Sequence, residues 1–292
     1  MDLPELIREA LVDAGVDSIE KVEPVGGGRS SAARIHTGSE LFFAKWDDGA
    51  DAHTFEAEAA GLRALREIAS SLVIPKVVAA SNGPLGYVVT TWVHQPSFNG
   101  AYWSALGEGL AELHRASADA YERYGFAEDN FIGPTLQRNT WETSWPSFFR
   151  THRLEPQRQL ARERGLWRQS WDEKLEMLYA LLADLLPEAP APALLHGDLW
   201  SGNVLPAGEG RAAIIDPAVY VGHREADLAM TELFGRFGEE FYRRYNELYP
   251  LDDGYTRRRS IYNLYHLINH LNIFGRGYAG RVANALDQSL GA

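Results

Sequence analysis

The chain has 292 residues, 45% of them hydrophobic and 23% charged, which is typical of a folded globular protein and excludes a largely disordered one. Its formal charge of −12 argues against a nucleic-acid partner, because phosphate backbones attract basic surfaces. The absence of cysteine excludes disulfides and thiolate metal sites. Since no apolar run approaches the length of a membrane span and the chain does not start like a secretion signal, we expect a cytoplasmic location and no membrane partner.

The first part of the chain predicts a small lobe that is rich in strands. Residues 2–13 have the periodicity of a short amphipathic helix. The pattern then predicts strands at 22–25, 33–36 and 41–46, a helix at 54–68, and strands at 73–79 and 87–93. A run of three glycines joins the first two strands and suits a flexible hairpin turn.

After Val93 the pattern becomes mostly helical. A polar, turn-rich link covers residues 94–100, and apolar residues then recur at helical spacing, as at Leu106, Leu110 and Leu113. Short strands are predicted only near 194–196, 204–205 and 212–215. The sequence therefore predicts an α+β fold with two lobes, a β-rich one over residues 1–93 and a larger, helical one over residues 94–292.

The strongest motif is His-Gly-Asp-Leu-Trp-Ser-Gly-Asn at residues 196–203, followed by Asp216 at the end of an apolar run. An aspartate, an asparagine five residues later and a second aspartate after a strand are the polar groups of a kinase catalytic centre. We predict that Asp198 orients the acceptor hydroxyl or takes its proton. Asn203 and Asp216 are the predicted ligands of Mg²⁺ at the phosphates of ATP. His196 is predicted to be a buried strut that bonds backbone, not the base.

Lys45 is the predicted phosphate-binding cation. It lies in the apolar strand at 41–46, and a buried ammonium needs an anionic partner. Glu58, on the next helix, is the expected partner because it falls on the packed side, whereas Glu56 is turned to another face. By itself, Lys45 could also be an edge-strand lysine with its charge in water.

Two further segments are candidates for the nucleotide site. The run Gly26, Gly27 and Gly28 could cover the phosphates without Cβ interference, although it lacks the spacing of a protein-kinase loop and could be a plain turn. Thr91, Trp92 and Val93 end a strand just before the link, where backbone groups could pair with adenine. A simple strand end explains these three residues equally well.

The acceptor is predicted to be a small molecule. Gly197 stands where protein kinases carry arginine, Asp-Pro-Ala at 216–218 replaces Asp-Phe-Gly, and no Ala-Pro-Glu follows. Trp200 could lie against the C–H face of a sugar, or it could be a packed indole that anchors the loop. Asp227 is predicted to cap a helix, and the pair His266 and His270 is predicted to pack and not to bind zinc.

With these motifs placed, the chain resembles the fructosamine kinase (ketosamine-3-kinase) family, within the aminoglycoside-phosphotransferase group of protein-kinase-like folds. The likeness covers residues 26–28, 43–45, 55–58, 196–203, 216–230 and 264–272. It implies a bilobal kinase-like fold and ATP-dependent phosphorylation of a ketosamine, typically at O3 of the sugar, as a deglycation repair activity on free or protein-bound amines. The phosphorylated adduct then falls apart.

The same resemblance implies roles for single residues. It makes Asp198 the base, Asn203 and Asp216 the metal ligands, and Lys45 with Glu58 the phosphate clamp. It also makes residues 91–93 the adenine hinge and places an acceptor-side helical region at 141–157, whose aromatic residues could equally belong to the core.

Two other functions stay open from the sequence. One is a kinase for another small hydroxyl compound, such as an aminoglycoside, choline or a methylated thiosugar. The other is a nucleotide-binding pseudokinase. The presence of all five kinase side chains argues against it: Lys45, Glu58, Asp198, Asn203 and Asp216. The oligomeric state is not predicted.

Overall fold

The computed structural model describes residues 2–16, 18–26, 29–95 and 102–291. Gly27 and Gly28 of the glycine run lie outside these residues, as does most of the predicted link after Val93. Among the described residues, no helix combines the length and the apolar character that crossing a bilayer requires.

The N-terminal part is a five-stranded antiparallel sheet with two helices. In spatial order the strands are β1 (Ile19–Pro24), β2 (Ser31–Thr37), β3 (Leu41–Asp47), β5 (Gly86–Thr91) and β4 (Val77–Ser81), and the helices are α1 (Glu5–Asp13) and α2 (Phe55–Ile68). Burial alternates along β3, whose Phe42, Ala44 and Trp46 pack in one cluster with Ile7 and Leu11 of α1. The opposite face of β3 therefore carries Lys45, and because β3 lies between β2 and β5, the edge-strand interpretation of this lysine is wrong.

The strand predicted at 73–79 begins later than expected, at Val77. Val73 instead forms a parallel bridge with Ala213: its amide donates to Ala212 O at 2.9 Å, and Ile214 N donates to Val73 O at 3.2 Å. Pro75 has no amide hydrogen and so separates this bridge from β4. The chain is thereby joined to the C-terminal part at a point that local sequence does not reveal.

The C-terminal part is mostly helical. Its helices are α3 (Tyr102–Ala118), α4 (Trp145–Phe148), α5 (Glu155–Glu163), α6 (Asp172–Leu185), α7 (Glu225–Thr231), α8 (Glu239–Leu248), α9 (Tyr255–Phe274) and α10 (Ala279–Leu290). Three antiparallel pairs join β6 (Asn130–Ile132) to β7 (Thr135–Gln137), β8 (Pro192–Leu195) to β11 (Tyr220–His223), and β9 (Val204–Pro206) to β10 (Ala212–Ile214). The predicted α+β arrangement is present, and a lobe boundary at residue 93 stays a prediction.

The segment at 141–157 contributes to the core of this part. Trp145, Phe148 and Phe149 are at most 1% exposed, so these aromatic side chains pack inside and do not face an acceptor. The equally buried Arg153 donates to Arg138 O at 2.7 Å, and its guanidinium lies 3.9 Å from the centre of the Tyr220 ring. The alternative that these aromatic residues belong to the core is therefore correct.

We predict that Gly107→Ala destabilises the protein by about 1–3 kcal/mol, the usual cost of overpacking a core. A Cβ at residue 107 of α3 would lie 2.3 Å from Phe241 O of α8, so the two helices would have to separate. The matched control is Gly280→Ala in α10, where a Cβ would meet nothing within 4 Å. Urea unfolding should show the loss for the first variant and little change for the control; equal midpoints for the two would contradict the close approach.

Candidate active site

Lys45 is held between two carboxylates from different parts of the fold. Its Nζ lies 2.6 Å from Glu58 Oε2 of α2 and 3.2 Å from Asp216 Oδ1, which follows β10. Burial alone would lower the pKa of Lys45, but the two carboxylates outweigh it and raise that pKa above its usual value. The ammonium of Lys45 therefore stays charged although it is largely buried. Glu56, the rival partner, is exposed and accepts from Asn82 Nδ2 instead.

The segment at 196–203 is tied together by its own side chains. His196 is fully buried; its Nε2 donates to Ile215 O at 2.8 Å, and its Nδ1 accepts from Asp198 N at 3.3 Å. His196 is thus the predicted strut. Asn203 Nδ2 donates to Asp198 O at 2.8 Å and to Asp198 Oδ2 at 3.2 Å, which fixes the direction of the carboxylate.

The electrostatics of Asp198 suit a proton acceptor. Burial raises the pKa of Asp198 to about 7. The hydrogen bond from Asn203 lowers this pKa, and the negative charge of Asp216 raises it. A carboxyl group whose pKa is near neutrality can both take and return a proton.

Asp227 holds the segment at 196–203 by accepting hydrogen bonds from its backbone amides. Its Oδ2 accepts from His196 N at 2.8 Å and its Oδ1 from Gly197 N at 2.9 Å, while His114 Nε2 lies 3.3 Å from Oδ2. The prediction that Asp227 caps a helix is wrong, because it is the third residue of α7 and its oxygens bind another segment. The feature that could have revealed this is its place between apolar neighbours inside the helix, where a buried carboxylate needs several donors.

The segment at 196–203 and the segment at 216–218 approach each other closely, and this contact requires a glycine at residue 197. Gly197 has a φ of +80°, and a Cβ there would lie 2.0 Å from Ala218 O. On the other segment Asp216 has a φ of +52°, an uncommon conformation for a residue other than glycine. The close approach brings Asp198 and Asp216 to the same cavity.

The oxygen atoms of this pair of segments fit Mg²⁺. Asn203 uses its amide nitrogen for Asp198, so its amide oxygen is the group left for a ligand. Asp216 uses Oδ1 for Lys45, and its side chain is 45% exposed. Amide and carboxylate oxygens are the donors that Mg²⁺ prefers.

A cavity of about 430 Å³ lies between the sheet and these segments, and its walls include Gly26, Lys45 and residues 91–93. The N–H groups of Thr91 and Trp92 are already used, since they donate to Lys76 O and Leu41 O, both at 2.9 Å. The amide of Val93 is the one of these three that has no backbone partner among the described residues.

A second cavity of about 540 Å³ adjoins the first and contains the side chains of Asp198, Asn203 and Asp216. Trp200 lines both cavities and is 38% exposed. The six-membered part of its ring lies against Gly202, where a Cβ would be 2.3 Å away. The structure thus brings together every predicted site residue that it describes.

The sequence is similar to kinases over nearly its whole length. A family model described as fructosamine kinase matches residues 5–292. The chain belongs to the fructosamine kinase family. A "Probable ketoamine kinase" of Vibrio parahaemolyticus is 40% identical over 265 residues, which cover 89% of this chain and 88% of the relative. The chloroplastic protein-ribulosamine 3-kinase of Arabidopsis thaliana is 36% identical over 291 residues, covering 97% of this chain and 87% of the relative.

Solved structures agree with this family. A crystal structure from Thermobifida fusca that is assigned by name to fructosamine-3-kinase has a TM-score of 0.89 and 29% identity, and covers 100% of both chains. An aminoglycoside phosphotransferase has a TM-score of 0.65 at 18% identity, covering 97% of this chain and 98% of its own, and shares the fold alone. The predicted family and the bilobal kinase-like fold are confirmed, and the protein is a kinase.

We predict that Asp227→Asn lowers both stability and turnover. The amide has one acceptor oxygen where two are used, so a buried N–H of His196 or Gly197 loses its partner, at a cost of about 1–3 kcal/mol. Urea unfolding and the turnover number would be measured beside Asp119→Asn, an exposed control. A fully active Asp227→Asn enzyme would show that this carboxylate does not hold the segment at 196–198.

Proposed function

We propose that this fructosamine-kinase family member transfers the γ-phosphoryl group of ATP to a sugar hydroxyl, O3, of a ketosamine. The observation that carries the proposal is that Lys45, Asp198, Asn203 and Asp216 meet in one cleft, in a chain whose relatives are named for ketoamines and ribulosamines. The phosphorylated adduct would then release its amine, which makes the activity a deglycation repair. We also propose a cytoplasmic location, because a chain without cysteine forms no disulfides and so needs no oxidising compartment.

The nucleotide would occupy the smaller cavity. The Val93 amide supports binding of the adenine edge, because it has no backbone partner in the part of the chain that the structure describes, and Gly26 lines the same cavity. The charged Lys45 would contact the α- and β-phosphates while Glu58 holds its side chain in place. Asn203 and Asp216 would hold Mg²⁺, which, when bound, neutralises phosphate charge.

The sugar would occupy the larger cavity. Asp198 would orient the acceptor hydroxyl and take its proton, and its raised pKa supports that role. Trp200 is exposed next to Asp198 and offers a flat face to the C–H groups of a sugar ring. Because phosphoryl transfer has a loose transition state, the contribution of these residues is mainly positioning.

We predict that two cleft variants respond differently to magnesium. Lys45→Ala should raise the KM for ATP at every Mg²⁺ concentration, because it removes a direct contact to phosphate oxygens. Asp216→Asn removes metal-binding charge, so its severe defect should be partly relieved by raised Mg²⁺. Lys174→Ala on the surface of α6 is the matched charge control and should behave like the parent enzyme. Identical magnesium titrations for the two cleft variants would refute their separate roles.

The substrate class is tested with a panel of acceptors and one readout of ADP formation. Enzyme and Mg-ATP would be incubated with a ribulosyl- or fructosyl-lysine derivative, free fructose, an aminoglycoside and choline. The ketosamine should be preferred over fructose by about one to two decades in kcat/KM, the value of one charge-assisted contact. Free lysine should also appear on standing. Brisk turnover of an aminoglycoside or choline without ketosamine turnover would overturn the proposal.

A further inference from the structure

The larger cavity has a wall that phosphoryl transfer does not use. It is formed by the last turns of α9, where His270, Ile273 and Phe274 face the same space as Asp198 and Trp200. Phe274 is 61% exposed, although most large apolar side chains of this chain are buried. An exposed aromatic ring inside a substrate cleft is a contact available to a ligand.

His270 lines this wall, and one of its ring nitrogens has no hydrogen-bond partner among the described residues. Its Nδ1 donates to His266 O at 2.8 Å, because a carbonyl oxygen can only accept, and the neutral ring therefore carries its lone pair on Nε2. Among the described residues no hydrogen bond is made by Nε2. Burial lowers the pKa of His270, so the ring is neutral near pH 7 and Nε2 accepts a hydrogen bond. The ring is held by Phe234, with centroids 4.4 Å apart, and by Phe274 at 5.3 Å.

The surroundings of this wall favour a cation. The backbone carbonyls at the end of the 20-residue helix α9 carry partial negative charge. The cavity contains four carboxylates against two basic side chains, Arg29 and Lys45. Arg281 is close enough for its charge to contribute to the lowered pKa of His270, but it is not part of the cavity wall: its guanidinium lies 4.8 Å from the Phe234 ring centre and donates to Leu233 O.

We propose that the C-terminal end of α9 is the subsite for the amine of the ketosamine, through His270 Nε2 and the ring of Phe274. The protonated secondary amine donates to Nε2, and its charge lies over the face of Phe274. This inference rests on the proposed function and deepens it, since it assigns the part of the site that distinguishes a ketosamine from a neutral ketose. Both side chains act on specificity and neither takes part in phosphoryl transfer.

Variants of His270 can separate the hydrogen-bond acceptor Nε2 from the packing of the imidazole ring. In His270→Asn the side-chain N–H can still donate to His266 O, as Nδ1 does, but nothing replaces Nε2. In His270→Gln the side chain reaches the position of Nε2 and supplies an acceptor there. Phe274→Leu removes the aromatic face at an exposed position that should not affect folding. Phe274→Tyr keeps that face and is its control.

The acceptors form a matched pair as well. One is a fructosyl amine, and the other is the neutral ether of the same shape, with oxygen in place of the amine nitrogen. The kcat/KM of each would be measured at saturating Mg-ATP, with thermal unfolding as the control for folding. His270→Asn should lose about 10-fold or more on the amine and Phe274→Leu about 2- to 5-fold, with the ether changed less than 2-fold. His270→Gln and Phe274→Tyr should retain most of the preference for the amine.

Two results overturn the inference, and they can be told apart. Equal losses on the amine and the ether, or no loss on either, would show that the end of α9 does not recognise the amine, while the proposed function stands. If the parent enzyme itself does not phosphorylate the fructosyl amine, the proposed function fails and the inference fails with it.

Discussion

The active-site cleft depends on one shared charge, the ammonium of Lys45. Taking an ammonium out of water is costly unless opposite charges replace the water. Two do so here: Glu58, whose side chain is 15% exposed, and Asp216, which is 45% exposed. The difference in exposure supports the different roles that we propose for them. Glu58 would stay the partner that aims Lys45, whereas the more exposed Asp216 would exchange this contact for a metal ion when nucleotide is bound.

The segments at 196–198 and 216–219 form the other half of the cleft, and hydrogen bonds from their backbone groups to buried polar side chains hold them. Asp227 receives the amides of His196 and Gly197, and the hairpin β6–β7 receives the next segment: Asn130 Nδ2 donates to Val219 O at 2.6 Å, and Gln137 Nε2 donates to Ala218 O at 3.0 Å. The segments that carry Asp198 and Asp216 are thus held in place by hydrogen bonds to buried side chains. That suits a reaction in which positioning supplies most of the catalysis.

The sequence predicts well wherever chemistry restricts the choice of residue. Helical periodicity selects Glu58 over Glu56, and the structure shows that pairing; the motif spacing likewise brings Asn203 onto Asp198. What the sequence misses is set by contacts between distant segments. Asp227 reads as a cap because its partners lie 30 residues away or more, and Trp145 reads as either acceptor contact or core until the fold buries it. Local patterns carry no information on such partners.

A double-mutant cycle on Lys45 and Glu58 tests whether Glu58 acts by aiming Lys45. The kcat/KM for ATP would be measured for the parent enzyme, Lys45→Met, Glu58→Gln and the double variant, with thermal unfolding followed in parallel. If Glu58 acts only by aiming Lys45, the double variant should be no slower than Lys45→Met alone, and the two effects should be strongly non-additive. Additive losses would mean that the two side chains act on the nucleotide independently, and would refute this dependence of Lys45 on Glu58.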